Sequence, residues 1–210
     1  MNQQARKIEG TEGENHASFL DRFVLKITPE EREKLDFSYD CGKYGHRNQP
    51  RETGARYFEH LRGGALIFID ELGITDTELI AAFFLHDILE DSFLFTPKRI
   101  KMVFGERVCG IVVVVTKPKK NDPRFSSKAE GHEWYYAQIS SASIDVKLVK
   151  LVDRLQNTRA LVACSREKQL RKVAETKKHI LPLIDDVAKV YPQIAALLTE
   201  KFEAALQQLV

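Results

Sequence analysis

Apolar residues recur at helical spacing through most of the chain, and Gly, Pro and capping residues interrupt them. Thr28-Pro29-Glu30-Glu31 predicts a helix start, with Thr at the N-cap, Pro in the first helical position and acids in the first turn. Thr75-Asp76-Thr77-Glu78 has capping-box spacing and runs into the apolar stretch Leu79 to Leu89. Thr96-Pro97 opens a further short helix, which Gly105 can close. Ser143 to Ala163 and Glu167 to Val190 keep helical periodicity, and Pro192 to Leu209 ends the chain amphipathically. Ile111 to Val115 is β-branched and has strand propensity, but no partner strand is in view, so it reads as buried helix. Pro118 to Ser127 is a loop, rich in Pro, Asn, Asp and Ser. The expectation is an all-α fold of about eight to ten helices, by the usual helix-length prior.

Length and charge narrow the class. A chain of 210 residues suits one well-buried core, so residues 16–210 are expected to form a single domain. Residues 1–15 contain no apolar h-region and read as a mobile leader. No apolar run approaches the roughly 18 residues of a membrane span. Cys41, Cys109 and Cys164 are far apart and form no CxxC pair, which fits a cytoplasmic protein and argues against a disulfide framework or thiolate zinc site. A formal net charge of +2 calls for no nucleic-acid partner, so any anion affinity must be local.

Three segments concentrate the chemistry. In the first, His86-Asp87 and Glu90-Asp91 follow a strongly apolar helical run, placing His86 a turn before Glu90 and Asp87 a turn before Asp91. Carboxylates crowded beside buried surface persist cheaply only if a cation neutralises them or they share protons. Adjacent nitrogen and oxygen donors suit Mn, Fe, Co or Ni better than Ca. A solvated helix end fits this segment equally well. In the second, Lys147, Lys150 and Arg154 fall on one polar face, while Asp153 and Asn157 lie a turn apart at the edge of the apolar arc. There Asp153 needs a partner, either a metal or Arg154 or Arg159. The third, Tyr44 to His60, holds Arg47, Arg51 and Arg56, whose forks suit phosphate binding or base stacking, and ends on His60 at the start of an apolar helix. Lys117, Lys119, Lys120 and Arg124 form a basic loop that is either solvated or phosphate-binding.

Order and spacing of these segments together resemble a known family. His46-x-x-Gln49-x-Arg51-x-x-Gly54-x-x-Tyr57-x-x-His60, then His86-Asp87-x-x-Glu90-Asp91, Phe104-Gly105, Val115-Thr116-Lys117 and Lys150 to Arg159 are similar, in collinear order, to the hydrolase domain of the RelA/SpoT-type alarmone enzymes of the HD superfamily. The resemblance runs from about residue 44 to 176. It implies that His60, His86, Asp87 and Asp153 bind a metal, usually Mn²⁺ in that family. It implies that Glu90 and Asp91 orient or activate the attacking water, that Arg51 packs on a guanine base, and that Asn157, Thr53 and Lys117 contact the nucleotide. The implied reaction removes the 3′-pyrophosphate of guanosine tetra- or pentaphosphate (ppGpp or pppGpp), and the chain length implies a small, stand-alone hydrolase.

Departures from the family pattern bear on substrate. Glu52 replaces a base between Arg51 and Thr53, Leu61 replaces the Pro after the first ligand His, and Gln156 replaces a His. Glu52 either faces solvent or pairs with Arg47 or Arg56, or it stands near substrate phosphates and repels them. The alternatives are an HD phosphohydrolase for another nucleotide, or a non-catalytic nucleotide-binding descendant. Retention of every implied ligand and acid weighs against the second.

Overall fold

A computed structural model describes residues 16–23, 27–52, 54–91 and 94–209, with the side chain of Asp91 outside that description. The expected leader, residues 1–15, also lies outside it. The fold is all-α: twelve α-helices among the described residues, three of them of six residues or fewer. The single β-bridge described, Pro50 with Arg56, closes a loop.

Capping sets the first boundaries. Helix α1 spans His16–Asp21. Helix α2, Pro29–Gly45, starts with Thr28 as N-cap, and the Thr28 and Glu31 side chains each accept from the other residue's backbone N–H. Helix α3 is Tyr57–Leu66 and runs into a π-helical turn at Ile67–Glu71, so His60 lies inside the helix and does not begin it. Helix α4, Thr77–Leu85, is apolar and buried from Leu79 to Leu85. Its cap is Asp76, one residue later than the expected Thr75, because the Asp76 carboxylate accepts from Leu79 N at 3.0 Å.

The continuous helix expected through Leu89 is broken. His86 and Asp87 form a turn, and α5 is the short Ile88–Asp91. The His86 ring turns back onto the carbonyl of Phe83 at 2.7 Å. Helices α6 (Pro97–Phe104) and α7 (Glu106–Val115) meet at Gly105, whose φ of +92° a residue with a Cβ would adopt only under strain. Thus Ile111 to Val115 is helical, as expected. Helix α8, Lys128–Ser141, follows the Pro118–Ser127 loop and was not evident in the apolar pattern.

Helix α9, Ile144–Ala160, is the axis of the domain, touching α3, α4, α7, α8, α10, α11 and α12. Its expected polar face is not solvated: Lys147, Lys150 and Arg154 are all buried. A single helix over Glu167 to Val190 is also not observed. It divides into α10 (Arg166–His179) and α11 (Leu183–Ala188), since Pro182 has no N–H and disfavours helical geometry in the residue before it. Helix α12, Pro192–Gln207, packs on α9 and α11.

Two glycines permit close packing around α4. A Cβ on Gly42 would lie 2.8 Å from the carbonyl oxygen of Phe84, and one on Gly64 would lie 2.0 Å from Cζ of Phe83. Phe83 is fully buried and stacks near His60 and His86, so it has no room to retreat. Gly64→Ala should therefore cost about 1–3 kcal/mol by overpacking, lowering Tm by about 2–12 °C. An unchanged calorimetric Tm would show that α3 and α4 are not in this contact.

Candidate metal centre

Four side chains from three parts of the fold meet under α9. His60 comes from α3, His86 and Asp87 from the turn ending α4, and Asp153 from the middle of α9, and all four are buried. His60 Nε2 lies 3.3 Å and His86 Nε2 3.6 Å from Asp153 Oδ1, and His86 Nε2 is 2.9 Å from Asp87 Oδ2. Donor atoms of His60, His86 and Asp153 lie within 4.8 Å of one another, and Asp87 joins the group through His86.

The histidine tautomers suit cation binding. His60 Nδ1 lies 2.5 Å from Gln156 Oε1, and His86 Nδ1 lies 2.7 Å from the Phe83 carbonyl. Both neighbours are acceptors, so each Nδ1 carries a proton and donates it. Both Nε2 atoms are buried and make no hydrogen bond among the described residues. Two imidazole nitrogens and carboxylate oxygens form a mixed donor set that fits a divalent transition metal.

Charge within the cluster is delicately balanced. Burial pushes Asp153 up, but Lys150, His60 and His86 outweigh it and hold the carboxyl well below its ordinary range. Its expected partners were a metal, Arg154 or Arg159. Neither arginine takes that role, since Arg154 pairs with Glu175 and Arg159 with Glu71 at 2.6 Å, and Lys150 Nζ stands 2.9 Å from Asp153 in addition. Burial pushes His86 down, yet Asp87 and Asp153 lift it to about 10. For His60 burial prevails and the ring stays below its usual value. A cation bound here would therefore compete with a proton for His86 Nε2.

The surrounding residues shape a cleft of about 350 Å³. Arg51, Lys117 and Asn157 line it, as do Arg154, Lys168 and Lys172. Arg51 is carried on a tight loop in which its N–H donates to the Ala55 carbonyl at 2.8 Å and Gly54 takes φ +82°. Its guanidinium donates from Nη1 to Gln156 Oε1 at 3.1 Å and from Nη2 to Asn157 Oδ1 at 3.0 Å. Asn157 Nδ2 in turn donates to Asp153 Oδ1 at 2.6 Å. Lys117 Nζ stands 3.6 Å from Asp87 Oδ1 and 3.3 Å from Glu90 Oε1, and its backbone N–H donates to the same Glu90 oxygen at 2.8 Å. Burial pushes Glu90 above the ordinary carboxylate range, and Lys117 only partly opposes this because Asp87 pushes the same way. Thr53 and the Asp91 side chain lie outside the described residues.

Three participants were given no such role from sequence. The Tyr57 hydroxyl donates to Asp87 Oδ2, Lys150 neutralises Asp153, and Gln156 holds His60. Tyr57 could have been found, since it lies one turn before His60 on one helix face. Glu52 pairs with neither Arg47 nor Arg56. Lys168 Nζ from α10 reaches it at 2.6 Å, so its charge is answered at the cleft edge. In the basic loop, Lys119 and Lys120 line an adjoining cavity of about 700 Å³ that shares Lys117 and Glu90, while Arg124 is engaged by Asp122 at 2.7 Å.

Residues 39–183 match the HD domain family, and the chain belongs to it. HD-family membership implies a divalent metal ion, and the donor cluster fits one. The chain is 39% identical over 150 residues to the probable guanosine-3′,5′-bis(diphosphate) 3′-pyrophosphohydrolase of Synechocystis, covering 70% of this chain and 19% of that protein. It is 36% identical over 135 residues to the enzyme of the same activity called MESH1 from Xenopus tropicalis, covering 64% of this chain and 71% of the relative. The chain thus spans about a fifth of the Synechocystis protein but most of the Xenopus one. A solved structure described as "A metazoan ortholog of SpoT hydrolyzes ppGpp and plays a role in starvation responses" shares the fold, with TM-score 0.65, 24% identity, and coverage of 85% of this chain and 96% of that one. Among the described residues no helix is long and apolar enough to cross a membrane.

One wall of the cleft has a pH signature. Glu175 on α10 accepts from Arg154, from Lys172 at 3.1 Å and from the Tyr136 hydroxyl at 2.9 Å. Burial raises the Glu175 carboxyl, but Arg154 and Lys172 outweigh it and set it at about 2. A depressed folded-state value adds stability above the unfolded pKa of about 4.3, lost as pH falls toward the folded value. Glu175→Gln should therefore be less stable than wild type at pH 7, with the gap in urea midpoint closing between about pH 5 and 2. A gap that stays constant over that range would contradict the ion-pair assignment.

Proposed function

We propose that the chain removes the 3′-pyrophosphate of guanosine 3′,5′-bis(diphosphate), giving GDP and pyrophosphate. The observation carrying this reading is the pair of buried, Nδ1-engaged histidines facing Asp153 and Asp87 at the floor of a cation-lined cleft beside Arg51. The pyrophosphohydrolase relatives and the collinear motif support the guanosine nucleotide as substrate. His60, His86, Asp87 and Asp153 would hold the divalent ion, Mn²⁺ in this reading, which supplies Lewis acidity toward a phosphoryl oxygen and acidifies water.

The chain's own side chains do the rest. The Arg51 guanidinium, held by Gln156 and Asn157, would pack on the guanine base. Arg154, Lys168 and Lys172 spread positive charge along the wall that a polyanionic nucleotide would face. Glu90, raised by burial and held by Lys117, accepts the proton of the attacking water. The water oxygen bonds to the phosphorus carried on the ribose 3′ oxygen, that P–O bond breaks, and the 3′ oxygen takes up a proton. Asp91 is assigned to the same acidic pair by resemblance. The Glu52–Lys168 ion pair favours the reading in which Glu52 leaves hydrolysis intact over one in which it rejects phosphates.

Purified protein loaded with Mn²⁺ should convert ppGpp to GDP and pyrophosphate, and chelation should stop it. Glu90→Gln should lower turnover by about 10² to 10⁴-fold while metal and nucleotide still bind. Asp153→Ala should lose the metal itself. Turnover of other nucleotides but not ppGpp would replace the substrate assignment, and near-normal turnover by Glu90→Gln would remove Glu90 from the chemistry.

A further inference from the structure

Gln156 is a fully buried side chain between Arg51 and His60, and one of its atoms does two jobs. Gln156 Oε1 lies 2.5 Å from His60 Nδ1 and 3.1 Å from Arg51 Nη1. A carbonyl oxygen has two lone pairs and can accept both bonds at once, whereas a ring nitrogen accepts one. The other half of the amide gains nothing from its position: Nε2 is buried and finds no acceptor among the described residues. A side chain kept for stability would not leave a buried donor unpaired, since that donor forfeits its solvation.

We propose that Gln156 is a positioning residue that couples the base-facing arginine to the metal ligand His60, an inference resting on the nucleotide-hydrolase reading above. Accepting from His60 Nδ1 fixes the tautomer that turns Nε2 toward Asp153. Accepting from Arg51 Nη1 fixes one edge of the guanidinium. The other edge is held by Asn157, which itself donates to Asp153. The arginine is thus tied to two of the four candidate ligands by two-bond paths on either side. A base settling on the Arg51 face narrows the motion of that plane, and with it the motion of the His60 ring. Base and metal should therefore bind with positive coupling, and by linkage the effect must be equal in both directions.

The test uses the full chain and two variants. Gln156→Met keeps length and volume but has no strong acceptor. Gln156→Glu keeps both acceptor bonds and removes the unpaired donor. Mn²⁺ affinity is read from the electron paramagnetic resonance of free Mn²⁺, with and without guanosine, which has no phosphate to bind the ion itself. Expected are tighter Mn²⁺ binding with guanosine in wild type and Gln156→Glu, and about tenfold weaker Mn²⁺ binding without that response in Gln156→Met. The Tm of Gln156→Met should fall, because His60 Nδ1 and Arg51 Nη1 lose their acceptor, and Gln156→Glu should restore it. Wild-type Mn²⁺ affinity and guanosine response in Gln156→Met would overturn the proposal and leave the hydrolase reading standing. So would absence of any guanosine response in a wild type that binds Mn²⁺. A lower Tm in both variants with no rescue by Gln156→Glu would reduce Gln156 to a packing residue. A wild type that binds no Mn²⁺ would overturn the hydrolase reading and this proposal with it.

Discussion

An ionised carboxylate in the middle of the central helix constrains the whole architecture. Asp153 is only 6% exposed, and a buried charge without partners costs several kcal/mol. Its compensation comes from every side: Lys150 one turn earlier, Asn157 one turn later, His60 from α3, and His86 from the end of α4. The three helices must therefore meet at one point. The same logic extends along α9, where Lys147 is answered by Asp186 of α11 at 2.7 Å and Arg154 by Glu175 of α10. Helices α10 and α11 thus supply the opposite charges for a helix whose polar side is turned inward.

That arrangement separates the cleft into an acidic floor and a basic wall. Asp87 and Asp153 sit below, while Arg51, Lys117, Arg154, Lys168 and Lys172 stand around them. A dication on the floor and a polyanion against the wall would each meet a surface of opposite charge. The chain as a whole carries only +2, so this field is built from placement and not from bulk composition. Lys117 belongs to both layers, touching Asp87 and Glu90 while lining the cleft, and so its position depends on how the floor is charged.

Local chemistry explains what could be read from the sequence. Thr28 and Thr96 cap helices where expected because a cap needs only its own next three residues. The all-α class followed from periodicity, and the collinear motif singled out His60, His86, Asp87 and Asp153, which the fold brings together. What escaped notice depends on distant groups. The turn at His86-Asp87 interrupts an apolar run that periodicity alone would continue. The inward face of α9 looks solvated on a helical wheel because Glu175 and Asp186 are far away in sequence. Glu52 finds Lys168, not a neighbouring arginine, for the same reason: the partner is 116 positions along the chain.

The two histidines are held in the same tautomer by different means, and the difference matters. His86 Nδ1 donates to the main-chain carbonyl of Phe83, an acceptor that no side-chain substitution removes. Because that carbonyl ends α4, the ring orientation is set by where the helix stops. His60 Nδ1 donates to a side chain, Gln156, so its orientation follows whatever residue stands there. One ligand is therefore tied to the fold and the other to a replaceable contact that also touches Arg51. Variation in this cleft can reach the metal centre through His60 without disturbing the packing of α3 against α4. In the proposed reading, position 156 on the central helix is where base recognition and metal geometry would be adjusted together.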